Sequence, residues 1–443
     1  MNNKSLVDFK GKKVAVIGLG IEGRDAINFL LEKGADVTLF DKNEVSDLNF
    51  DGIDKDRIGI VAGENYLKGG LSGFEFVVRS PGVYRFIPEI VEAESRGVEI
   101  TSAIKIFFEE CPAKIIGVTG TKGKGTTSTL IYEILKSAGK DVYLSGNIGK
   151  PYLGLLPALK EDSWVVLEMS SFQLMDMKVS PHISVVLNIT EDHLDWHKDR
   201  NEYVSAKANI VKYQSQSDFA VVNEEYETSR NFANLTKAMS TLFSKDKLEA
   251  KFKEGLLLRG EHNLENIAAA VTVGKCIGVS EETILETVRN FKGLEHRLEL
   301  VAEVDGKTFY NDSFATGPQP TIAAVNSFTE PETLILGGSD KGLDYKELGN
   351  AIAAKGNVKS VIVIGDTRKK ISKALDGEGA GINILDLEYS PMDEIVKKAF
   401  EITPDGGVIV LSPGAASFDM FENYKDRGVQ FKNSVAKLKS QLL

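Results

Sequence analysis

Cysteine and long apolar stretches are the scarcest features of this 443-residue sequence, and their scarcity excludes several classes of protein. The two cysteines, Cys111 and Cys276, are too far apart to form a metal or redox motif, and they fit a reducing cytoplasm. No stretch is apolar for long enough to cross a bilayer, and the N-terminus lacks the apolar region of a signal peptide. We therefore expect a cytoplasmic protein without a membrane span.

Positive charge is also in short supply. The chain has 53 lysines and arginines against 64 acidic residues, which gives a formal net charge of −11. Nucleic acid is therefore not the expected main partner, because neutralising phosphates requires a basic face. Hydrophobic residues make up 42% of the chain and charged residues 26%, as in soluble globular proteins with full cores. At about 150 residues per domain, the length predicts two to four domains.

A glycine-rich stretch from Lys114 to Ser128, reading KIIGVTGTKGKGTTS, carries the strongest functional signal. Its apolar start predicts a buried strand, its glycines a turn, and the residues from about Thr126 onward a helix. This order brings backbone N–H groups and a helix N-terminus to bear on a phosphate, and Lys124 adds a mobile positive charge. Gly125 follows Lys124, so a magnesium-binding hydroxyl must come from Thr126 or Thr127. The stretch predicts a nucleoside triphosphate site.

A second glycine pattern follows the first apolar strand of the chain. Gly18, Gly20 and Gly23 form GxGxxG, and a second strand ends at Asp41, about 20 residues further on. The pattern predicts a phosphate-bearing ligand at a helix N-terminus. Glu22 beside the loop and the lack of an evident hydride-transfer site weigh against NAD. A tight strand-to-helix turn without a ligand is the alternative.

Polar residues follow two further apolar runs in the middle of the chain. Glu168 ends one run, and His193 follows the next. A carboxylate at the end of a buried strand is costly unless it holds a cation or a proton, so together with the phosphate loop these residues favour magnesium binding. By itself His193 also fits an exposed or helix-capping histidine. Lys207 lies among small and apolar residues, where the alternative is a lysine that extends to the surface.

The last third of the chain has a texture of its own. Residues 298–309 alternate in polarity around Asp305-Gly306, which predicts a hairpin, and apolar strands then alternate with helical stretches. We place domain boundaries near residues 103 and 297. The predicted fold class is α/β, with three domains built on mostly parallel sheets.

Taken in order, short motifs over almost the whole chain resemble the Mur ligase family. The motifs are the glycine fingerprint of residues 18–23, Ser80-Pro81-Gly82, Gly120-Thr121-Lys122-Gly123-Lys124, Gly146-Asn147-Ile148-Gly149, LEMSSFQL (residues 167–174), Asn188-Ile189-Thr190-Glu191-Asp192-His193, Ala206-Lys207, His262-Asn263, His296-Arg297, Asn311-Asp312-Ser313 and Leu411-Ser412-Pro413. The resemblance implies a Rossmann-like N-terminal domain (1–103) for a UDP-sugar, a P-loop ATPase-like central domain (104–297) for ATP, and a Rossmann-like C-terminal domain (298–443) for an amino acid.

The resemblance also implies a reaction. In the family member with this set of motifs, ATP phosphorylates the carboxylate of UDP-N-acetylmuramoyl-L-alanine, and the amine of D-glutamate displaces phosphate from the acyl phosphate. The product is a peptidoglycan precursor. The family uses two Mg²⁺ ions and a lysine carbamylated by CO₂, which matches Lys207. We expect no obligate protein partner and a monomer.

Residue roles follow from the same resemblance, position by position. The implied catalytic residues are Lys124, Glu168, His193 and carbamylated Lys207, and the implied metal ligands are Thr126, Glu168, His193 and Lys207. The ATP-binding residues are Gly120, Thr121, Lys122, Gly123, Lys124, Gly125, Thr126, Thr127, Asn263, Asn266, Arg297 and Asp312. The UDP-sugar residues are Gly20, Ile21, Glu22, Asp41, Lys42, Ser80, Pro81, Gly82, Asn147, Ser170 and His193. The glutamate-binding residues are Thr316, Lys341, Ser417 and Phe418.

Four positions depart from the family pattern. Lys122 stands where Asn is usual, Gly125 where Ser or Thr is usual, Phe314 where Lys is common, and Tyr424 where Phe is common. The missing cation at Phe314 leaves the choice between D- and L-glutamate open.

Three different functions compete with this prediction. The first is that of a folylpolyglutamate-synthase-like ligase, which shares the chemistry, but that family resembles only the second and third domains. The second is that of an NAD-dependent dehydrogenase with an accessory ATP domain, and the third is that of a non-catalytic nucleotide-binding module. Binding of NADH rather than UDP to the first glycine loop would distinguish the dehydrogenase.

Overall fold

The computed structural model describes residues 8–147, 151–193, 195–376 and 381–442. Ile148 and Gly149, which belong to one of the motifs above, lie outside the described residues. In the part of the chain that is described, no helix is long and apolar enough to cross a membrane.

The first sheet has five parallel strands in the order β3-β2-β1-β4-β5. Its elements are β1 (Lys13–Ile17), α1 (Ile21–Glu32), β2 (Asp36–Asp41), β3 (Ile58–Ala62), β4 (Phe76–Arg79), α2 (Pro88–Ser95), β5 (Glu99–Thr101) and α3 (Ala103–Glu110), with 3-10 turns at Val45–Asp47 and Lys55–Arg57. The central strand β1 is buried from Val14 to Ile17, as its continuous apolar run predicts for a strand covered on both faces.

The second sheet has six parallel strands in the order β11-β10-β9-β6-β8-β7. Its strands are β6 (Lys114–Thr119), β7 (Val142–Gly146), β8 (Trp164–Glu168), β9 (Ile183–Val186), β10 (Phe219–Asn223) and β11 (Met239–Phe243). The accompanying helices are α4 (Lys124–Ser137), α5 (Ser171–Leu174), α6 (Arg200–Lys212), α7 (Glu227–Arg230), α8 (His262–Ile277) and α9 (Glu281–Asn290), with 3-10 turns at Leu153–Ala158, Asn231–Asn234 and Ala250–Phe252.

The third sheet has six strands in the order β12-β13-β17-β14-β15-β16. Its elements are β12 (Glu299–Val304), β13 (Lys307–Asn311), α10 (Pro318–Val325), β14 (Glu332–Gly337), α11 (Lys346–Lys355), β15 (Val358–Ile364), α12 (Arg368–Asp376), β16 (Asn383–Asp386), α13 (Met392–Ile402), β17 (Val408–Leu411) and α14 (Tyr424–Leu442). The predicted hairpin is confirmed: β12 and β13 pair antiparallel, and both Asp305 and Gly306 have positive φ, as a two-residue turn of this kind requires. All other pairings are parallel.

The three sheets confirm the predicted α/β class. By internal contacts the chain divides into two compact units, residues 1–248 with 265–287, and residues 249–264 with 288–443. The first unit holds the first and second sheets, and one hydrophobic core contains residues from both, such as Val16 and Phe107 with Val165 and Val222. The second unit holds the third sheet, with a core on each face. The predicted boundaries near 103 and 297 stay predictions.

Two helices begin earlier than their sequence patterns predict. Helix α4 begins at Lys124 rather than Thr126, because Gly123 caps it in the left-handed region with φ +85°. The amphipathic, lysine-bearing end of the sequence predicts a last helix from about Gly428 to Leu442, and this helix begins at Tyr424 instead. These starts place Lys124 and Tyr424 on the first turns of their helices.

Candidate functional site

The predicted phosphate loop connects β6 to α4 at the carboxyl edge of the second sheet. At Gly120 a Cβ atom would meet the Leu187 side chain at 2.7 Å, and at Gly123 it would collide with Asn266, so both positions need glycine. The N–H groups of Thr121 and Lys122 donate to the backbone and side-chain oxygens of Asn188, at 2.6 and 2.9 Å. The loop is therefore anchored on the segment that follows β9.

Two lysines converge on one carbonyl oxygen of this loop. Lys124 Nζ donates to Gly120 O at 3.1 Å, and Lys207 Nζ donates to the same atom at 2.9 Å. Lys207 is 2% exposed, and its Nζ also lies 3.3 Å from Thr119 Oγ1. Burial first, and then the neighbouring charge of Lys124, lower the pKa of Lys207 well below 10.5. Lys207 is thus buried, as its apolar sequence neighbours indicate. The alternative, a lysine that extends to the surface, is wrong.

Glu168 ends β8 and is buried. Its Oε1 accepts a hydrogen bond of 3.0 Å from Asn147 Nδ2, and the Asn147 N–H donates to the Glu168 carbonyl at 3.0 Å. Two predicted residues at the carboxyl ends of the neighbouring strands β7 and β8 are thus in contact. Ser170, two residues on, caps α5 and exchanges hydrogen bonds with Gln173.

His193 lies in the segment that follows β9, on the other side of β6 from Glu168. It has φ +54°, an unusual value for a residue with a side chain, and 47% of its side chain is exposed. Its imidazole packs on the Phe172 ring with 4.9 Å between centroids, and Nε2 lies 3.5 Å from Asp192 Oδ2. The exposed imidazole therefore remains available to a ligand on one side.

The two candidate magnesium hydroxyls have different surroundings. Thr127 is fully buried, and its Oγ1 donates to Asn266 Oδ1 at 3.2 Å. Thr126 is half-buried at the start of α4. The hydroxyl of Thr127 is thus committed within the fold, which favours Thr126 as the one that a ligand reaches.

The first glycine loop borders a cavity of about 540 Å³. Eight of the predicted UDP-sugar residues line it, namely Gly20, Ile21, Glu22, Asp41, Lys42, Ser80, Pro81 and Gly82, whereas Asn147, Ser170 and His193 do not. Gly23 lies so close to the Gly18 carbonyl that a side chain would not fit, as the fingerprint requires. The Glu22 carboxylate itself accepts hydrogen bonds from Tyr152 and Gln173 of the central region.

Three predicted nucleotide residues belong to the second unit. Asp312 follows β13, and its carboxylate accepts hydrogen bonds from Ser412 Oγ at 2.6 Å and Leu298 N at 3.2 Å. Burial raises the pKa of Asp312 to about 7. The Arg297 guanidinium lies over the Phe314 ring, and Asn263 Nδ2 donates to Arg259 O at 2.6 Å.

The predicted glutamate residues lie at the carboxyl ends of three adjacent strands, β13, β17 and β14. Lys341 Nζ lies 5.6 Å from the centroid of Phe418, whose side chain is 67% exposed. Ser417 is buried in the loop after β17, and Thr316 is exposed after β13. The geometry joins Lys341 to Phe418 and leaves Thr316 on the neighbouring loop.

Comparisons with known proteins decide the family. Three domain families match the chain: the Mur ligase MurD-like N-terminal domain at residues 12–102, the Mur ligase middle domain at 118–255 and the Mur ligase glutamate ligase domain at 296–415. A UDP-N-acetylmuramoylalanine–D-glutamate ligase from Acetivibrio thermocellus is 42% identical, over 98% of this chain and 99% of its own. The chain belongs to the Mur ligase family. The predicted resemblance is confirmed.

Further relatives agree with this assignment. A UDP-N-acetylmuramoylalanine–D-glutamate ligase from Clostridium botulinum is 40% identical to this Mur ligase over 99% of both chains. Among solved structures, the UDP-N-acetylmuramate–alanine ligase of Thermotoga maritima has a TM-score of 0.56 at 19% identity and covers 97% of this chain and 100% of its own. The MurF ligase of the same organism, solved with ADP, has a TM-score of 0.56 at 18% identity over 99% of this chain and 98% of its own. These two structures confirm the fold.

Several residues that hold the Mur ligase loops in place could not be recognised from the sequence. Arg427 is fully buried on α14 and donates hydrogen bonds to Ser313, Ala415 and Ala416, so that it ties the loop after β13 to the loop after β17. Asp176 forms ion pairs with Arg79, Arg85 and Lys105. Asp176 stands between Met175 and Met177, whereas Arg427 directly follows Lys425 and Asp426, and no periodicity marks either residue.

A cluster of two glutamates and a histidine in the second unit has the spacing of a metal site, but a neighbouring lysine already pairs with the glutamates. Within the described part of the chain, Glu295, His296 and Glu299 are the group of histidine and acidic side chains close enough to share an ion. Lys432 pairs with Glu295 and lies 3.2 Å from Glu299, so a cation is already present. The cluster is consistent with an ion-pair network.

Proposed function

We propose that this Mur ligase joins D-glutamate to UDP-N-acetylmuramoyl-L-alanine, with conversion of ATP to ADP and phosphate. The substrates are those in the names of its relatives at 40–42% identity over nearly the whole chain. The observation that carries the chemistry is the convergence of Lys124 and Lys207 on the Gly120 carbonyl, within a glycine loop at a helix N-terminus. That arrangement suits a phosphate-binding site with a buried lysine of lowered pKa beside it.

The reaction proceeds in two steps. A carboxylate oxygen of the alanyl group attacks the γ-phosphorus of ATP, the bond to the bridging oxygen breaks, and ADP leaves. The amine of D-glutamate then attacks the acyl carbon, loses a proton and expels phosphate, which leaves an amide. A carboxylate is a poor electrophile until phosphate becomes its leaving group, and positioning with charge neutralisation accounts for most of the catalysis.

The resemblance to the family assigns roles in this scheme to the loop and to the residues around it. Gly120, Thr121, Lys122, Gly123 and Gly125 supply the phosphate loop, and Lys124 neutralises charge on the β- and γ-phosphates. Thr126, Thr127, Asn263, Asn266, Arg297 and Asp312 contribute to nucleotide binding. Thr126 and Glu168 would hold one Mg²⁺, while His193 and modified Lys207 would hold a second. Bound Mg²⁺ supplies charge neutralisation of the transferring phosphoryl group.

The residues present fit such a cation site. Glu168 is a buried carboxylate held by Asn147 beside the loop, and Lys207 is a buried amine with a lowered pKa. A neutral lysine amine attacks the carbon of CO₂ and loses a proton, which yields a carbamate with anionic oxygens. We propose this modification of Lys207, because an ammonium ion cannot bind a metal. Labelled ¹³CO₂ should give a carbamate resonance that the Lys207→Arg variant lacks.

Substrate contacts are assigned to the two ends of the molecule. The UDP group occupies the cavity bordered by Gly20, Ile21, Glu22, Asp41, Lys42 and by Ser80-Pro81-Gly82. Asn147, Ser170 and His193 contact the muramoyl-alanine arm. Thr316, Lys341, Ser417 and Phe418 bind the incoming glutamate, whose carboxylates Lys341 would attract.

Phosphate release from ATP tests the proposal, with UDP-N-acetylmuramoyl-L-alanine present and D- and L-glutamate supplied separately. Release that requires both the nucleotide sugar and D-glutamate is expected, and omission of either should reduce it to background. Release with L-glutamate alone would keep the ligase chemistry and overturn the amino-acid assignment. If neither D- nor L-glutamate gives phosphate release, both the ligase chemistry and the amino-acid assignment are overturned. Folate substrates would then be tested next.

A further inference from the structure

A row of aromatic rings joins the wall of the nucleotide cavity to His193. Trp196 Nε1 donates to the carbonyl of Gly82, a cavity residue, at 3.3 Å. The Trp196 indole meets the ring of Tyr84, another cavity residue, at 5.3 Å between centroids. On its other side it packs on Phe172 at 4.3 Å, and Phe172 contacts His193 at 4.9 Å.

Contacts with His197 and Glu202 hold the aromatic row in place. His197 is 3% exposed, lies nearly parallel to the Phe172 ring at 5.6 Å, and has Nε2 2.9 Å from Ser171 Oγ. Tyr84 OH donates to Glu202 Oε1 on α6 at 2.7 Å. Rings held in this way lose little further conformational freedom when a ligand binds.

The rings are nevertheless open to solvent in part. Tyr84, Phe172 and Trp196 are each half-buried, in contrast to core aromatics of this chain such as Phe107 and Phe252, which are fully buried. Partly exposed, rigidly held aromatic side chains with a few polar neighbours are typical of ligand-binding surfaces.

We propose that Tyr84, Trp196 and Phe172 form a platform for the hexose ring of the nucleotide-sugar substrate. The inference rests on the proposed function, in which the UDP group occupies the cavity and the reacting carboxylate lies near His193. The sugar is covalently between these two groups, and the aromatic row is spatially between the two sites. A pyranose ring presents a face of C–H bonds that packs on aromatic rings, and the rings exclude water from it. These three residues are thus expected to set affinity for the sugar and not for UDP alone.

The two tryptophans of the chain provide a direct probe. Trp164 begins β8, at the end of that strand opposite to Glu168, so a Trp164→Phe variant leaves Trp196 as the only indole. UDP-N-acetylmuramoyl-L-alanine is expected to change the emission of this variant saturably, whereas UDP at saturating concentration produces a much smaller change. Equal changes with both ligands, or none with the nucleotide sugar, would overturn the platform.

Kinetics supply an independent measurement. Trp196→Leu removes the aromatic face and keeps an apolar side chain. We expect KM for UDP-N-acetylmuramoyl-L-alanine to rise about 5- to 10-fold, with KM for ATP unchanged, and Trp196→Phe to restore most of the loss. The matched control is Phe86→Leu, because Phe86 contacts Tyr84 and is 51% exposed but lines neither the cavity nor the row. A lower melting temperature with unchanged KM would assign Trp196 a purely structural role.

Calorimetry on the chain without substitutions distinguishes failure of the proposed function from failure of the aromatic platform. If it shows no binding of UDP-N-acetylmuramoyl-L-alanine, the proposed function fails. If binding is present but Trp196 emission and the KM of Trp196→Leu are unaffected, only the platform fails. If Trp196→Leu does not fold, the emission of the Trp164→Phe variant still decides.

Discussion

The guanidinium of Arg297 lies over the ring of Phe314, 4.0 Å from its centroid. Phe314 in turn meets Tyr424 edge-on at 5.0 Å, so two positions that depart from the family pattern contact each other. A cation–π contact holds the guanidinium in one orientation and limits its rotamers. Phe314, which stands where a lysine is common, therefore carries no charge itself but orients the charged guanidinium of Arg297.

This contact predicts that Phe314→Leu weakens ATP binding. Loss of a cation–π contact of about 0.5–2 kcal/mol corresponds to a rise in KM for ATP of about 2- to 30-fold. Phe314→Tyr keeps the ring and should stay near the unmodified value. Steady-state kinetics with each substrate varied in turn make the measurement. A rise in KM for glutamate instead would place Phe314 in the amino-acid site.

Burial of the Lys207 amine should lower the free energy of unfolding of this protein. Burial and Lys124 lower the pKa of Lys207 below 10.5, so its free-energy cost is absent above pH 10.5 and grows as pH falls towards the folded-state pKa. Lys207→Met should abolish turnover, and in CO₂-free buffer it should raise the melting temperature by a few degrees, more at pH 7 than at pH 9.5. Lys212→Met, an exposed change on the same helix, is the control. A lower melting temperature for Lys207→Met would contradict this account.

Asp176 should be important for stability because three cations depend on it. It lies 3.2 Å from Arg79 and Arg85 and 2.8 Å from Lys105. Burial by itself raises the pKa of Asp176, but the cations outweigh burial and lower it. Asp176→Asn leaves Arg79 buried without its anion, and we expect a loss of about 3–5 kcal/mol in urea unfolding at pH 7.

Glu94 provides the control for Asp176. Its side chain also pairs with Arg85, at 2.6 Å, but is 54% exposed. Glu94→Gln should therefore cost about 0–1 kcal/mol. Equal losses for the two variants would show that burial does not distinguish the two ion pairs.

Glu332 predicts a pH-dependent stability. The side chain is fully buried, and neither carboxylate oxygen has a hydrogen-bond partner among the described residues. Burial raises the pKa of Glu332 to about 8. A raised folded-state pKa means that the favourable contribution is complete below pH 4.5 and is lost as pH rises towards 8. Glu332→Gln should therefore increase the free energy of unfolding by a few kcal/mol more at pH 8 than at pH 5.

Urea titrations at the two pH values make this comparison. Glu303→Gln, on an exposed position of β12, serves as the control and should show no such difference. An equal effect of Glu332→Gln at both pH values would mean that Glu332 is ionised in the folded chain.

The sequence by itself determined the local features of this protein. Glycine spacing predicts where a strand turns into a helix, because a missing Cβ is a local requirement, and both glycine loops lie where the pattern places them. Continuous apolar runs predict buried parallel strands, because a strand that is covered on both faces has apolar side chains on both. The hairpin at Asp305-Gly306 is equally local. Membership in the family follows from the order of such motifs.

Only the tertiary structure decided which side chains meet. Strand order places β6 between β8 and β9, and so brings Glu168 and His193 to either side of the phosphate loop. Lys124 and Lys207 share a carbonyl oxygen across two helices. Tertiary packing also brings the three cations to Asp176, links the loops after β13 and β17 through Arg427, and aligns the aromatic rings at Trp196. Apolar periodicity specifies which face of an element is buried but not the identity of its neighbour, and these contacts depend on that neighbour.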